Sequence, residues 1–204
     1  ISREELDQIS LESHQRAARA TAEGRFETQI VPVEVTDEEG KTRTVNRDEG
    51  IREDTSLEKL ASLQPAFQVD GKVTAGNSSQ ISDGAAAILV MGEDTADRLG
   101  YTPLARVHTM TLAGVDPVIM LTGPIPATEK ALERSGLSID EIDLFEVNEA
   151  FASVIAAWRN ELGGADPMAL WERTNVNGGA IALGHPLGGS GGRVMTTLVH
   201  ELER

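Results

Sequence analysis

The sequence predicts an α/β fold, a mostly parallel or mixed sheet covered by helices. Three observations carry that expectation. Strand-like and helical stretches alternate from Val73 to the end of the chain. Phe151, Val154, Ile155, Trp158 and Leu162 recur at helical spacing, so one face of that helix is buried. At 204 residues and 40% hydrophobic content, the chain has enough apolar material for a genuine core.

Taken in order, "ISREELDQISLESHQRAARATAEG" opens with a capping box of Ser2 and Glu5. It carries Leu6, Ile9, Ser13 and Ala17 on one face and stops at Gly24. "TQIVPVEV" (28–35) reads as a strand that Pro32 confines to an edge, and the charged run 36–54 as hairpin or loop. The first third of the chain therefore reads as mostly surface. "VTAGNSSQISDG" is a turn-rich loop, "AAAILVM" (85–91) a buried strand, "EDTADRL" a helix closed by Gly100, and "PLARVHTMTLAG" (103–114) a further strand. After the loop "DPVIMLTGPIP" come a helix, "ATEKALERSG", a strand, "IDLFEV" (142–147), and the amphipathic helix beginning near Asn148. A glycine-rich turn then feeds a last helix, "GSGGRVMTTLVHELER".

Composition removes several classes of function. The chain has no cysteine, which excludes a disulfide framework, a thiolate metal site and a cysteine nucleophile from within it. A net charge of −15 argues against a nucleic-acid or anionic-membrane partner. No apolar run approaches the roughly 18 to 20 residues of a membrane span, and no secretory signal is visible, so the cytoplasm is the expected compartment. The chain starts at Ile1 without a methionine and stops on Arg204 in a helical stretch, so a fragment of a longer protein is expected.

The most unusual stretch is "NVNGGAIALGHPLGGSGGR" (175–193), seven glycines around His185. A phosphate-binding P-loop needs a lysine after GxxxxG, and Gly184 to Gly189 is followed by Ser190 and Gly191. A dinucleotide fingerprint needs an acidic residue about twenty positions on, and the chain ends first. What remains is an imidazole on a tight turn flanked by Gly184 and Pro186. It is either a turn histidine beside closely packed backbone, or a general base or hydrogen-bond donor.

Asn148 stands where a strand gives way to a helix, which suits an N-cap. It also suits an amide holding a water or an oxyanion at the carboxyl end of a strand. Glu146 and Glu149 invite a reading as a catalytic pair, but in a chain with 33 acidic residues a solvated or capping role is the expectation. His14, His108 and His200 lack metal-ligand spacing, so no metal is expected.

"NEAFA" (148–152) followed by the glycine-rich stretch resembles the thiolase family, coenzyme-A-dependent acyltransferases that cleave or form 3-ketoacyl-CoA. "GNSSQISDGAAA" (76–87) and "GVDPVIMLTGPIPATEKAL" (114–132) match it collinearly. The resemblance implies a layered α-β-α-β-α fold of two similar halves, present in part. Residues 1–78 would belong to a loop domain, 79–101 to the end of the first half, and 102–204 to an incomplete second half.

It further implies that His185 activates a cysteine thiolate and that His185 and a water held by Asn148 donate to the thioester oxygen. Arg52 of "IRED" would lie beside the adenine and phosphate end of coenzyme A, with Ser79, Ala150 and Phe151 along its pantetheine tunnel and Met120 in the acyl pocket. Without the resemblance, Arg52 reads as a solvated charge and Ser79 as a loop hydroxyl. Coenzyme A and acyl-CoA are then substrates, no cofactor is tightly bound, and a homodimer or homotetramer is the expected full-length assembly. Both catalytic cysteines would lie outside these residues, leaving the fragment inactive alone. Fatty acid and lipid metabolism, as in β-oxidation, is the implied setting. Two other readings stay open: a non-catalytic acyl-CoA or lipid binder of the same fold, and a ketoacyl synthase relative, which "NEAF" with "GGAIALGHPLG" fits less well.

Overall fold

A computed structural model describes residues 1–204. Its longest helix, α1 (Arg3–Ala22), starts where Ser2 Oγ accepts a hydrogen bond from the Glu5 backbone N–H at 3.1 Å. Only half of the expected capping box forms, because the Glu5 carboxylate turns instead to the Arg159 guanidinium. The reading of the first third as surface is corrected for this helix. Leu6, Ile9, Ser13, His14, Ala17 and Ala20 are all buried on it.

After α1 the chain forms an antiparallel hairpin of β1 (Val33–Thr36) and β2 (Thr42–Val45) in the register Val33 opposite Val45. The strand expected at 28–35 is thus displaced toward its C-terminal end, and the hairpin is largely exposed. A short helix, α2 (Leu57–Ala61), is capped by Ser56 and packs on α1. Then come α3 (Glu93–Leu99), closed by Gly100 in the left-handed region, and α4 (Pro124–Ser135), which begins on proline and ends on Gly136.

The core gathers around α5 (Ala152–Leu162), α6 (Pro167–Glu172) and α7 (Ala180–Leu183). Leu6 and Ile9 of α1 meet Ala152, Ile155 and Ala156 of α5, Trp171 of α6 and Ile181 of α7. The two tryptophans are buried with their indole N–H groups satisfied: Trp158 donates to Thr128 Oγ1 at 3.0 Å and Trp171 to the Glu12 carboxylate. The Arg16 guanidinium lies 4.2 Å from the centre of the Trp171 ring. The last helix, α8 (Ser190–Glu203), follows the glycine-rich turn directly.

Three expected strands are corrected. The runs 85–91 and 103–114 lack helix and ladder, and are exposed rather than buried, with Leu89 at 71% and Leu112 at 92% exposure. "IDLFEV" pairs at a single parallel bridge, Phe145 with Thr174. The reason is physical. A helix satisfies its own N–H and C=O groups, whereas a strand can do so only through a neighbour, and no neighbouring strand lies beside these runs.

Candidate active site

The segment 145–149 is anchored by one residue, Asn175. Its Nδ2 donates to Val147 O at 2.8 Å, and its Oδ1 accepts from Val147 N at 2.8 Å. The same Nδ2 also donates to Glu149 Oε1 at 2.9 Å. Asn175 adopts a left-handed backbone conformation, φ 48°, which asparagine tolerates better than most residues.

Glu149 is fully buried, so its reading as a solvated or capping acid is overturned. Its Oε2 accepts from Ser13 Oγ at 2.6 Å and from Ile181 N at 3.2 Å, and Ser13 Oγ in turn accepts from Gly179 N at 3.2 Å. Burial raises the carboxyl pKa, and these donors together with Arg16 counter it in part. A Cβ at Gly179 would run into that carboxyl group, so the glycine is required for close approach.

Beside Glu149, Asn148 lines a narrow cleft of about 20 Å³, enough for one water molecule. The N-cap role considered for Asn148 is not the one it fills, because α5 is capped at Phe151. Gly178, Gly179, Gly184, Ser190 and Arg193 line the same cleft, which brings Asn148 against the His185 turn. Glu146 sits half-buried at the cleft, and its pKa is pushed up to about 8. Burial is the main cause and the nearby Glu149 carboxyl adds to it, while Arg193 opposes the rise.

The His185 turn is pinned at both ends. Gly184 ends α7 at φ 89°, a conformation that side chains resist, and a Cβ there would also collide with the Ser82 side chain. His185 N donates to Gln80 O at 2.9 Å, and Gln80 Nε2 donates to Gly50 O and Ile181 O, both at 2.8 Å. The half-buried imidazole has Nδ1 2.6 Å from Ser190 Oγ, at the first residue of α8.

Three of the other expected positions come together. Ser79 N donates to Ala150 O at 3.0 Å, and Ser78 forms an antiparallel bridge with Phe151. Phe151 meets Phe67 edge-on at 5.8 Å, on the wall of a hollow of about 430 Å³ lined by residues 64–70. Arg52 has an exposed side chain, but its backbone N–H donates to His14 Nδ1 at 3.1 Å. His14 is kept neutral for that role, its pKa lowered to about 4 by burial and then by Arg52. Met120 stands apart on an exposed turn (120–122) and does not line the cleft.

Ser13, His14, Gln80, Asn175 and Ser190 position these groups, and none was singled out as a site residue from sequence. Only Asn175 and Ser190 lay inside the stretch that drew attention, where the glycines and His185 held the eye. His185 does not itself line the cleft, but Gly184 and Ser190 of its turn do; an imidazole there can take a proton, and Asn148 with room for one water beside it can offer a donor to a developing negative charge.

Known proteins resemble this chain along its whole length. The family described as "Thiolase, N-terminal domain" matches residues 1–94, and "Thiolase, C-terminal domain" matches residues 101–204. A 3-ketoacyl-CoA thiolase of Aliivibrio fischeri is 54% identical over 205 aligned positions, covering 100% of this chain and 52% of that protein. The crystal structure of a Bacillus anthracis acetyl-CoA acetyltransferase superposes with a TM-score of 0.94 at 45% identity, covering 100% of this chain and 50% of the other. Human mitochondrial 3-ketoacyl-CoA thiolase, solved in complex with CoA, gives 0.89 at 46% identity, covering 100% and 49%. The chain spans about half the length of the relatives it matches.

Proposed function

The chain belongs to the thiolase family, and from that membership we propose that it carries the histidine and asparagine side of a coenzyme-A-dependent acyl-transfer site. In this reading a 3-ketoacyl-CoA is cleaved by coenzyme A, or formed by the reverse condensation. The thiolate comes from a cysteine outside these 204 residues, since the chain itself has none.

His185 takes the thiol proton. The thiolate attacks the keto carbon, the bond to the neighbouring methylene breaks, and that carbon takes a proton from a second cysteine, also outside these residues, so that acetyl-CoA leaves. A second coenzyme A then gives its thiol proton to that cysteine and takes the acyl group through its own sulfur, freeing the first cysteine to recover its proton from His185. Asn148, through the water its cleft has room for, and His185 donate to the thioester oxygen, a contribution of roughly 3 kcal/mol per donor. Ser79, Ala150 and Phe151 form the pantetheine wall, and Arg52 meets the adenine and phosphate end. Acyl-CoA and CoA are the partners, in a homodimer or homotetramer in the cytoplasm that serves fatty acid breakdown.

One observation supports this reading above the others: the cleft that puts Asn148 against the pinned His185 turn. The test is thiolysis by the whole protein, followed as consumption of 3-ketoacyl-CoA after CoA is added. His185→Ala should lower turnover by about 10³-fold or more while the protein stays folded. Unimpaired thiolysis by the variant removes the role of His185. Binding of acyl-CoA without turnover by the unmodified protein favours the non-catalytic reading.

A further inference from the structure

We propose that Ser190 is a positioning residue that fixes His185 as the Nδ1–H tautomer and so leaves Nε2 free to take a proton. The inference rests on the acyl-transfer reading and adds to it the means by which the imidazole is made a base. A neutral imidazole carries its single proton on either nitrogen, and only the unprotonated nitrogen can act as a base. The hydrogen bond at the other nitrogen decides which.

That bond is set by Ser190. Its Oγ stands 2.6 Å from His185 Nδ1 and 3.0 Å from Pro186 O. A hydroxyl has one proton. Pro186 O can only accept, and it already takes Gly189 N at 2.8 Å and Ser190 N at 2.9 Å; with the Oγ–H of Ser190 directed there as well, the hydroxyl lone pair faces Nδ1, which then supplies N–H. The same bond back to the carbonyl four residues earlier recurs along this chain, from Ser10 to Leu6 and from Thr21 to Ala17, both at 2.8 Å.

The hydroxyl has no other duty. Gly189 occupies the cap position of α8, and the Ser190 side chain does not cap the helix. Ser190 is buried at 7% exposure, so solvent has little access to its hydroxyl. A neutral partner also orients the ring without the strong pull on the proton that a carboxylate would exert.

Two measurements on the whole protein decide the matter. The first uses histidine-selective ¹⁵N labelling and long-range ¹H–¹⁵N correlation at a pH where His185 is neutral. It should show a protonated Nδ1 and a bare Nε2 in the unmodified protein. A protonated Nε2 there overturns the proposal, whether or not the protein performs thiolysis.

The second compares variants. Ser190→Ala should lower kcat by about 10- to 100-fold, the usual effect of removing a group that orients a functional histidine, with KM for acyl-CoA changed by less than about twofold. It should also turn His185 partly to the Nε2–H form. Ser190→Thr, which keeps the hydroxyl, should restore both the tautomer and most of kcat. A Ser190→Ala protein with unchanged tautomer and kcat sinks the proposal. Absence of thiolysis in the unmodified protein counts against the acyl-transfer reading, and the tautomer measurement still stands on its own.

Discussion

Two regions that both carry apolar residues behave in opposite ways. Around Glu149, residues from α1, from the segment 145–149 and from the glycine-rich stretch close over one carboxyl group with every polar atom paired. Between Ile81 and Leu121, Ile81, Leu89, Leu104, Met110, Leu112 and Val118 all stand exposed. Within these residues, about half the length of the relatives the chain matches, apolar side chains alone do not make an interior. In the first region buried hydrogen bonds tell each segment where to go, and in the second the backbone finds no ladder to join.

The largest expected effect lies in the first region. Gly179→Ala would drive a methyl group into a carboxyl that three donors hold in place, so the carboxyl has no free direction in which to yield. A loss of about 3 kcal/mol in urea unfolding is expected. A neutral result would mean that the Glu149 enclosure is loose, and the contrast between the regions would weaken.

A pH dependence comes next, from Glu146. Its pKa rises from an ordinary 4.5 to about 8 in the folded chain, so the folded state holds a proton that the unfolded state gives up. Stability from this group is complete below about pH 4.5 and is lost as pH climbs through about 8. Unfolding free energies measured from pH 5 to 9 should fall with pH, and Glu146→Gln should flatten that slope. A slope that persists in the variant assigns the titration to another group.

The smallest effect belongs to the second region. Leu89→Ser, at a side chain 71% exposed, should shift stability by no more than about 0.5 kcal/mol. A cost of about 2 kcal/mol would show that the run is covered, and the comparison would have to be redrawn.

The same contrast explains what could be read from sequence. Helices were legible because their signals are local: Gly100 and Gly136 stop α3 and α4 where expected, and Val154, Ile155 and Trp158 are the buried face of α5. Strands were not, because pairing depends on partners that a run such as 85–91 does not name. The His185 turn announced itself through its glycines. Glu149 did not, since its burial is decided by Ser13, 136 positions away, and one acid among 33 draws no notice. Ser190 was hidden for a related reason: a serine at the start of a helix suggests a cap, and this one bonds elsewhere.

That 136-residue reach has a consequence for synthesis. A chain made from its N-terminus exposes Ser13 long before Glu149, Asn175 and Ile181 leave the ribosome. The carboxyl cannot be enclosed by a partial product, so the histidine turn above it is assembled only when nearly all of this stretch has been translated. Truncated chains should therefore lack a formed site rather than carry a defective one.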